Sequence, residues 1–495
     1  MKRKSILVLV PTMMLLCAAN SYALPFSIEP TNPLPSKTVV GGTVFYTVTN
    51  NTSIVLSNNY VAYFPSNVAQ VSNDPSVPNL CGAKFTLQPL GKAGDSCQLE
   101  LEIVGPVVSD DCNDQKHHLF ICASDETSCA GPTLTNSLNV NTYQQMAYIA
   151  DDDKSNAITI CEVDAAGAFI ESSCNDHVDP TFEDPIDIII NNTSTMAYVA
   201  NADNSNVPPY HVSVCPVTPT GSLEPCTSFT DTNFLLQYSG LRLNPANTFL
   251  YIANSNYPLA PSNNTVSICP VAANGQLEND TCFLDSGLMS DDVTPTFFQP
   301  NGRIAFNLSG TIAYIPNFAS GLGASYVSIC DVVQSGTNAG SFKNCIIEYG
   351  TPSTGPFTNL QGLDISPDGQ YLYLANNYYD NRGNVVTCEI ADDGHALENC
   401  SKSDGETTPP TPAKTFYFDT NSTNIFTNNT LLNYAYMPNG CVGNAVGNPP
   451  VCDGQSTTSI CPMIDGGFGS CTTTTAGGLL ETADSVWIAN FLYPQ

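Results

Sequence analysis

Apolar and polar positions alternate in short runs along most of this chain, and from about residue 147 the runs recur in a fixed order. The first element is aromatic and β-branched: Ala147-Tyr148-Ile149-Ala150, Ala197-Tyr198-Val199-Ala200-Asn201, Leu250-Tyr251-Ile252-Ala253-Asn254, Ala313-Tyr314-Ile315-Pro316-Asn317 and Leu372-Tyr373-Leu374-Ala375-Asn376. Tyr434-Ala435-Tyr436 is a weaker copy, and Val486-Trp487-Ile488-Ala489-Asn490 ends the series. A polar loop follows each early copy, then a strand ending in cysteine, at Cys161, Cys215, Cys269, Cys330, Cys388 and Cys461. Next comes a turn and a second cysteine: Cys174, Cys226, Cys282, Cys345, Cys400 and Cys471. The first cysteines of the pairs lie 54 to 73 residues apart. Short alternating strands repeated at that period predict a propeller or a solenoid. Helical periodicity is absent, and Gly, Pro, Asn and Ser interrupt the runs as an all-β fold requires.

The cysteine spacing carries a geometric prediction. The midpoints of five pairs fall at or beside Gly167, Gly221, Gly275, Gly394 and Gly466, and the sixth falls at Thr337-Asn338, which also suits a turn. Residues equidistant from a hairpin turn face each other across the two strands, close enough for a disulfide. Six cross-strand bridges follow: Cys161-Cys174, Cys215-Cys226, Cys269-Cys282, Cys330-Cys345, Cys388-Cys400 and Cys461-Cys471. Each would staple an outer hairpin, where a sheet ends in an exposed edge. Metal binding by these pairs is disfavoured, because there is no C-x-x-C and there are few histidines.

A further strand precedes the aromatic one, as at Ile186-Asp187-Ile188-Ile189-Ile190, Leu241-Arg242-Leu243, Ile304-Ala305-Phe306 and Leu363-Asp364-Ile365. Three of these run into similar turns: Asn244-Pro245-Ala246-Asn247, Leu308-Ser309-Gly310-Thr311 and Ser366-Pro367-Asp368-Gly369. Four strands per unit is the pattern of a propeller blade. Ser366-Pro367-Asp368-Gly369-Gln370-Tyr371-Leu372-Tyr373-Leu374-Ala375-Asn376 resembles the repeat unit of the YVTN-type β-propeller family, and looser copies cover residues 143–495. The resemblance implies a propeller. It is almost silent on chemistry, since the family resembles surface and binding propellers on one side and lactonase-type enzymes on the other. The cysteine hairpins and longer loops depart from the family pattern. Six cysteine hairpins against seven aromatic strands give six blades, with seven as the alternative. In the six-blade account the C-terminal strands complete the first blade.

Residues 24–142 lack the repeat. Val44 to Asn50 and Gln98 to Ile103 alternate like half-buried strands. This region resembles the Ig-like modules of bacterial exported proteins, and Cys81 is expected to pair with Cys97. Cys112, Cys122 and Cys129 leave one thiol over, with the pairing open. Cys441 and Cys452 are expected to staple an insertion in the last full blade.

The chain begins with a signal-like segment. Lys2, Arg3 and Lys4 precede an apolar stretch from Ile6 to Ala19, and Ser21-Tyr22-Ala23 suits cleavage. The apolar stretch is shorter than the roughly 20 residues of a spanning helix. The expected organisation is a signal peptide at 1–23, an Ig-like sandwich at 24–142 and the propeller at 143–495. Twenty cysteines agree with an oxidising compartment, so a secreted or cell-surface location is expected, with the periplasm as alternative. The net charge of −31 argues against nucleic acid and anionic lipid as partners.

Chemistry is sparsely marked. There is no G-x-S-x-G, H-E-x-x-H, Walker or dinucleotide motif. His117-His118 between Cys112 and Cys122 is the densest His/Cys cluster, but zinc there would need reduced thiols in an oxidising compartment. Asp151, Asp153 and Asn156 offer alternating oxygen ligands suited to calcium, without the Gly and distal Glu of an EF-hand, and a solvated turn is the favoured reading. No other cofactor is expected. His177, His211 and His395 are scattered, and Arg242, Arg303 and Arg382 cannot be assigned to one site from the sequence.

Two readings follow. The main expectation is a non-catalytic binding protein that presents loops to a protein or glycan partner on a stapled propeller. The alternative is a lactonase-like hydrolase, which requires Arg, His and carboxylates to converge in the channel.

Overall fold

A computed structural model of the protein describes residues 24–107, 118–124, 128–151, 156–201, 211–233, 240–254, 264–290, 294–318, 325–350, 357, 360–376, 384–403, 433–439, 457–464, 467–476, 479–480 and 483–492. The chain divides between Thr142 and Tyr143 into two compact units. Both are built of antiparallel β-sheet, with short helical turns at Leu134–Asn136 and Glu171–Ser173.

In the first unit, one sheet has the order Phe26–Pro30, Gly42–Asn50, Ser96–Ile103, Val68–Val71, and the other Phe85–Leu87, Leu56–Tyr63, Phe120–Cys122, Cys129–Ala130. The alternation in Gly42–Asn50 places Val44, Tyr46 and Val48 inside. They share one core with Leu99, Leu101 and Ile103 of the same sheet and with Leu87 and Ile121 of the other. The two sheets thus enclose a common apolar layer, the arrangement that period-two alternation produces. Cys81 is bonded to Cys97, and Cys122 to Cys129 across a close antiparallel pair.

The second unit is a β-propeller. Among the described residues it contains six consecutive sheets. In the second to fifth, strand order follows chain order: Pro185–Ile190, Met196–Asn201, His211–Pro216, Thr227–Thr230; then Leu241–Leu243, Phe249–Asn254, Thr265–Pro270, Phe283–Asp285; then Ala305–Phe306, Ile312–Asn317, Tyr326–Val332, Phe342–Glu348; then Leu360–Ile365, Tyr371–Asn376, Asn384–Ile390, Leu397–Ser403. The sixth holds Tyr434–Asn439, Thr457–Ile464 and Thr472–Thr474. The first is completed from the far end of the chain. Ala483–Leu492 pairs with Asn141–Asp151, with Trp487 opposite Tyr148, and Ala157–Val163 and Asn175–Val178 follow outward.

The second strands are buried on both faces, as in Met196–Asn201 and Ile312–Asn317, because each sheet packs between two others. Their runs are therefore apolar up to the final Asn, where alternating strands are the expectation. The repeat tyrosine ties neighbouring sheets together. The hydroxyls of Tyr148, Tyr198, Tyr251 and Tyr314 donate to the carbonyls of Gly221, Gly275, Gly340 and Gly394, each in the outer hairpin of the next sheet. Tyr436 of the sixth sheet donates to Gly167 of the first. Burial pushes the hydroxyls of Tyr148, Tyr198, Tyr251 and Tyr314 far above their ordinary pKa, so they remain protonated donors. The accepting glycine has two reasons to be glycine. Gly275 holds φ at +84°, and a Cβ there would sit 2.4 Å from Met196.

The six hairpin disulfides are present, with Cα separations of 4.0 to 4.2 Å. In two hairpins the spacing works through a bulge. Asn344 and Asn399, both at positive φ, precede Cys345 and Cys400 and shift the register by one. Cys112 and the pair Cys441-Cys452 lie outside the described residues.

Candidate functional site: charged side chains on the propeller axis

The innermost strands set the site. Arg242, Asp364 and Trp487 each pair with the repeat tyrosine of their own sheet (Tyr251, Tyr373 and Tyr148), so they stand at one level along the axis. Asp187 lies two positions before Ile189, the partner of Tyr198, and Arg303 two before Ala305, the partner of Tyr314; they form a second level. Ion pairs link sheets that are not neighbours. Arg303 of the fourth sheet meets Asp187 of the second at 2.6 Å, both fully buried. Arg242 of the third meets Asp364 of the fifth at 2.9 Å. Both guanidinium carbons lie close to the Trp487 ring centroid, at 5.4 Å for Arg242 and 5.3 Å for Arg303. The cluster therefore ties five sheets together.

The two arginines differ in what is left over. Arg303 uses every nitrogen: Nε and Nη2 donate to Asp187, Nη1 to the Val486 carbonyl and Nη2 also to that of Ile188. Asp187 in turn accepts from the N–H groups of Ile188 and Leu241. A charge so deeply buried persists only when paired and hydrogen-bonded, and every nitrogen of Arg303 and both oxygens of Asp187 have a partner. Arg242 uses Nη2 on Asp364, whose carboxylate also accepts from Ile365 N–H. Its Nη1 is buried with no partner. Unpaired buried donors are costly and mark places where a partner belongs.

Arg242 and Trp487 line a cavity of about 100 Å³ at the end of the axis where the first strands turn into the second. The rim is made by those turns, which share one device. The side-chain oxygens of Asn191, Asn244, Asn307 and Ser366 each accept from two backbone N–H groups four and five residues on. In the sequence three of these turns read only as punctuation, and no motif marks the charged residues they surround. The signal available was a charged residue inside an otherwise apolar inner strand, as in Leu241-Arg242-Leu243 and Leu363-Asp364-Ile365.

The other expected sites are elsewhere. Asp151 is fully buried at the end of its strand, Asn156 is exposed, and Asp153 lies outside the described residues. Cys122, in its disulfide, offers no thiolate beside His118, while Cys112 and His117 lie outside the described residues. His177, Asp179 and Cys226 come within 4.8 Å of one another, yet Cys226 is bonded to Cys215 and is no metal ligand. Burial holds the His177 ring below its usual pKa. Asp179 is desolvated, but hydrogen bonds from Thr181 and Cys226 bring it net below the ordinary carboxylate range. His211 bonds the Thr181 carbonyl, and His395 pairs with Asp331 at 2.8 Å. These histidines belong to the outer parts of the sheets. The cluster's named members are two arginines, two aspartates and the indole.

Comparison with known proteins gave structural likeness only. No family model matches the chain, and no curated protein matches it. A protein from Bacteroides fragilis provisionally named a 6-phosphogluconolactonase is 13% identical, with 70% of this chain and 98% of that one covered at a TM-score of 0.43. The periplasmic gluconolactonase of Pseudomonas aeruginosa is 14% identical, with 71% and 99% covered at 0.42. A protein from Agrobacterium tumefaciens provisionally named TolB is 10% identical, with 71% and 99% covered at 0.35. Lactonase names among these structures run against the main expectation of a non-catalytic binding protein, which is corrected to its alternative. The argument for that alternative rests on the axial side chains.

Proposed function

We propose that the second unit is a lactonase-like hydrolase working at its axis. The observation that carries this is the meeting of Arg242, Asp364, Arg303, Asp187 and Trp487, with Arg242 lining a cavity and its buried Nη1 unpartnered. In lactone hydrolysis, water adds to the carbonyl carbon and the ring C–O bond breaks. One water hydrogen ends on the former ring oxygen, the other is released from the new carboxyl group, and the product is a hydroxy acid. Arg242 Nη1 is the donor that meets the negative charge growing on the carbonyl oxygen. Asp364 fixes the guanidinium, and the buried Arg303–Asp187 pair holds the surrounding strands.

Around that reading, six blades are supported by the bond from Tyr436 in the sixth sheet to Gly167 in the first. Two sheets about one core support the Ig-like reading of the first unit. The disulfides fit an extracellular or periplasmic setting, and Lys2 to Ala23 is the proposed signal peptide. The test is hydrolysis of a panel of lactones and simple esters, followed by acid release at constant pH. Turnover that vanishes on unfolding is expected; a folded protein that opens none of them overturns the proposal.

A further inference from the structure

We infer that the cavity at the turn side of the axis is a binding site for a small monocarboxylate, taken by Arg242 Nη1 with its carbon chain against Trp487. This deepens the hydrolase reading and rests on it for the ligand's meaning, since a hydroxy acid is what lactone opening leaves behind.

The chemistry of the cavity selects the class. A guanidinium arm that is buried and unpartnered is matched by a carboxylate oxygen, which supplies a charge-assisted bond. At the rim, the amide nitrogens of Asn192, Asn244 and Asn307 each donate one bond, to the Pro245 carbonyl, Thr248 and Thr311. A single free arm suits one carboxylate and falls short of a phosphate dianion, which would also face the Asp364 carboxylate across Arg242. The walls are apolar at Leu243, Phe306 and Ile365, with Leu308 exposed at the lip.

The protein carries its own reporter, because Trp487 is its single tryptophan. Tryptophan emission of the full chain is titrated with propanoate, with 4-hydroxybutanoate and, for contrast, with inorganic phosphate. The expected result is a saturable change with the first two and none with the third. Arg242→Lys keeps a cation beside Asp364 and removes the free arm; it should weaken binding by about tenfold or more, the loss of one charge-assisted bond. Leu308→Phe narrows the lip without touching either ion pair, and should weaken binding in a protein with unchanged melting should the lysine variant not fold. No saturable change with the small carboxylates, or an affinity indifferent to both substitutions, overturns the site. A saturable change in a protein that opens no lactone supports the site and sinks the hydrolase reading alone.

Discussion

The propeller has two kinds of glue, and they differ by radius. At the rim each hairpin is closed by a disulfide, and a tyrosine from the neighbouring sheet bonds its turn. The pattern repeats from sheet to sheet. At the axis the described residues do not repeat: Arg242, Asp364 and Trp487 occupy positions filled by Ile189 and Ala305 in other sheets, and the Arg303–Asp187 pair lies on a second level. The rim is stabilised by disulfides within each sheet and by tyrosine bonds between adjacent sheets. The axis is held by buried charges that need partners from across the ring. A repeat protein can vary its centre freely when its periphery already closes the structure, and the centre is where chemistry is affordable.

That contrast is open to being broken. The largest effect belongs at the axis. Arg303→Met strands Asp187 in a fully buried site and should cost about 3–5 kcal/mol in denaturant unfolding of the second unit. A cost near zero would mean that the pair is ornamental. Next, Cys215→Ser with Cys226→Ser opens a short loop and should cost about 3 kcal/mol, with no change at the axis. Third, Tyr198→Phe removes one inter-sheet bond and leaves the Gly275 carbonyl without its donor, for about 1–2 kcal/mol.

The smallest effect is at an exposed rim pair, and its sign follows from titration. The hydrogen bond to Asp331 is the chief cause raising His395 above its ordinary 6.5. Its stabilisation is therefore complete below about pH 6.5 and is lost as pH rises through the raised value. Asp331 is desolvated, but hydrogen bonds from Asn344 and His395 bring it net below 3.8, so its share is present above that value and is lost in stronger acid. Both partners are partly exposed, so His395→Gln should cost a few tenths of a kcal/mol, about 0.5, near pH 5.5 and nothing near pH 9. Equal costs at both pH values would show that packing, not charge, is what His395 supplies.

The same difference in radius decides what was legible beforehand. Hairpin disulfides are local: their partners are 10 to 15 residues apart and centred on turns, so spacing alone assigns them. Tyr198 and Tyr251 announce themselves by repetition. The axial pairs join residues 116 and 122 apart, Arg303 with Asp187 and Arg242 with Asp364, and no periodicity connects them. Strand order in space has to be known first. Cys122–Cys129 is not legible from spacing for another reason: three cysteines in one stretch allow several pairings until the strands at Phe120–Cys122 and Cys129–Ala130 are placed side by side.

The most direct test sets the two regions against each other in one assay. Lactone opening is measured for the wild type, for Arg242→Lys and for the hairpin variant lacking Cys215 and Cys226, each at a temperature where its melting curve shows it folded. The account predicts that the hairpin variant keeps wild-type turnover, while Arg242→Lys loses about 10²-fold, the scale for removing one donor to a developing oxyanion. Equal turnover in all three would contradict it and remove the axis as the seat of the chemistry.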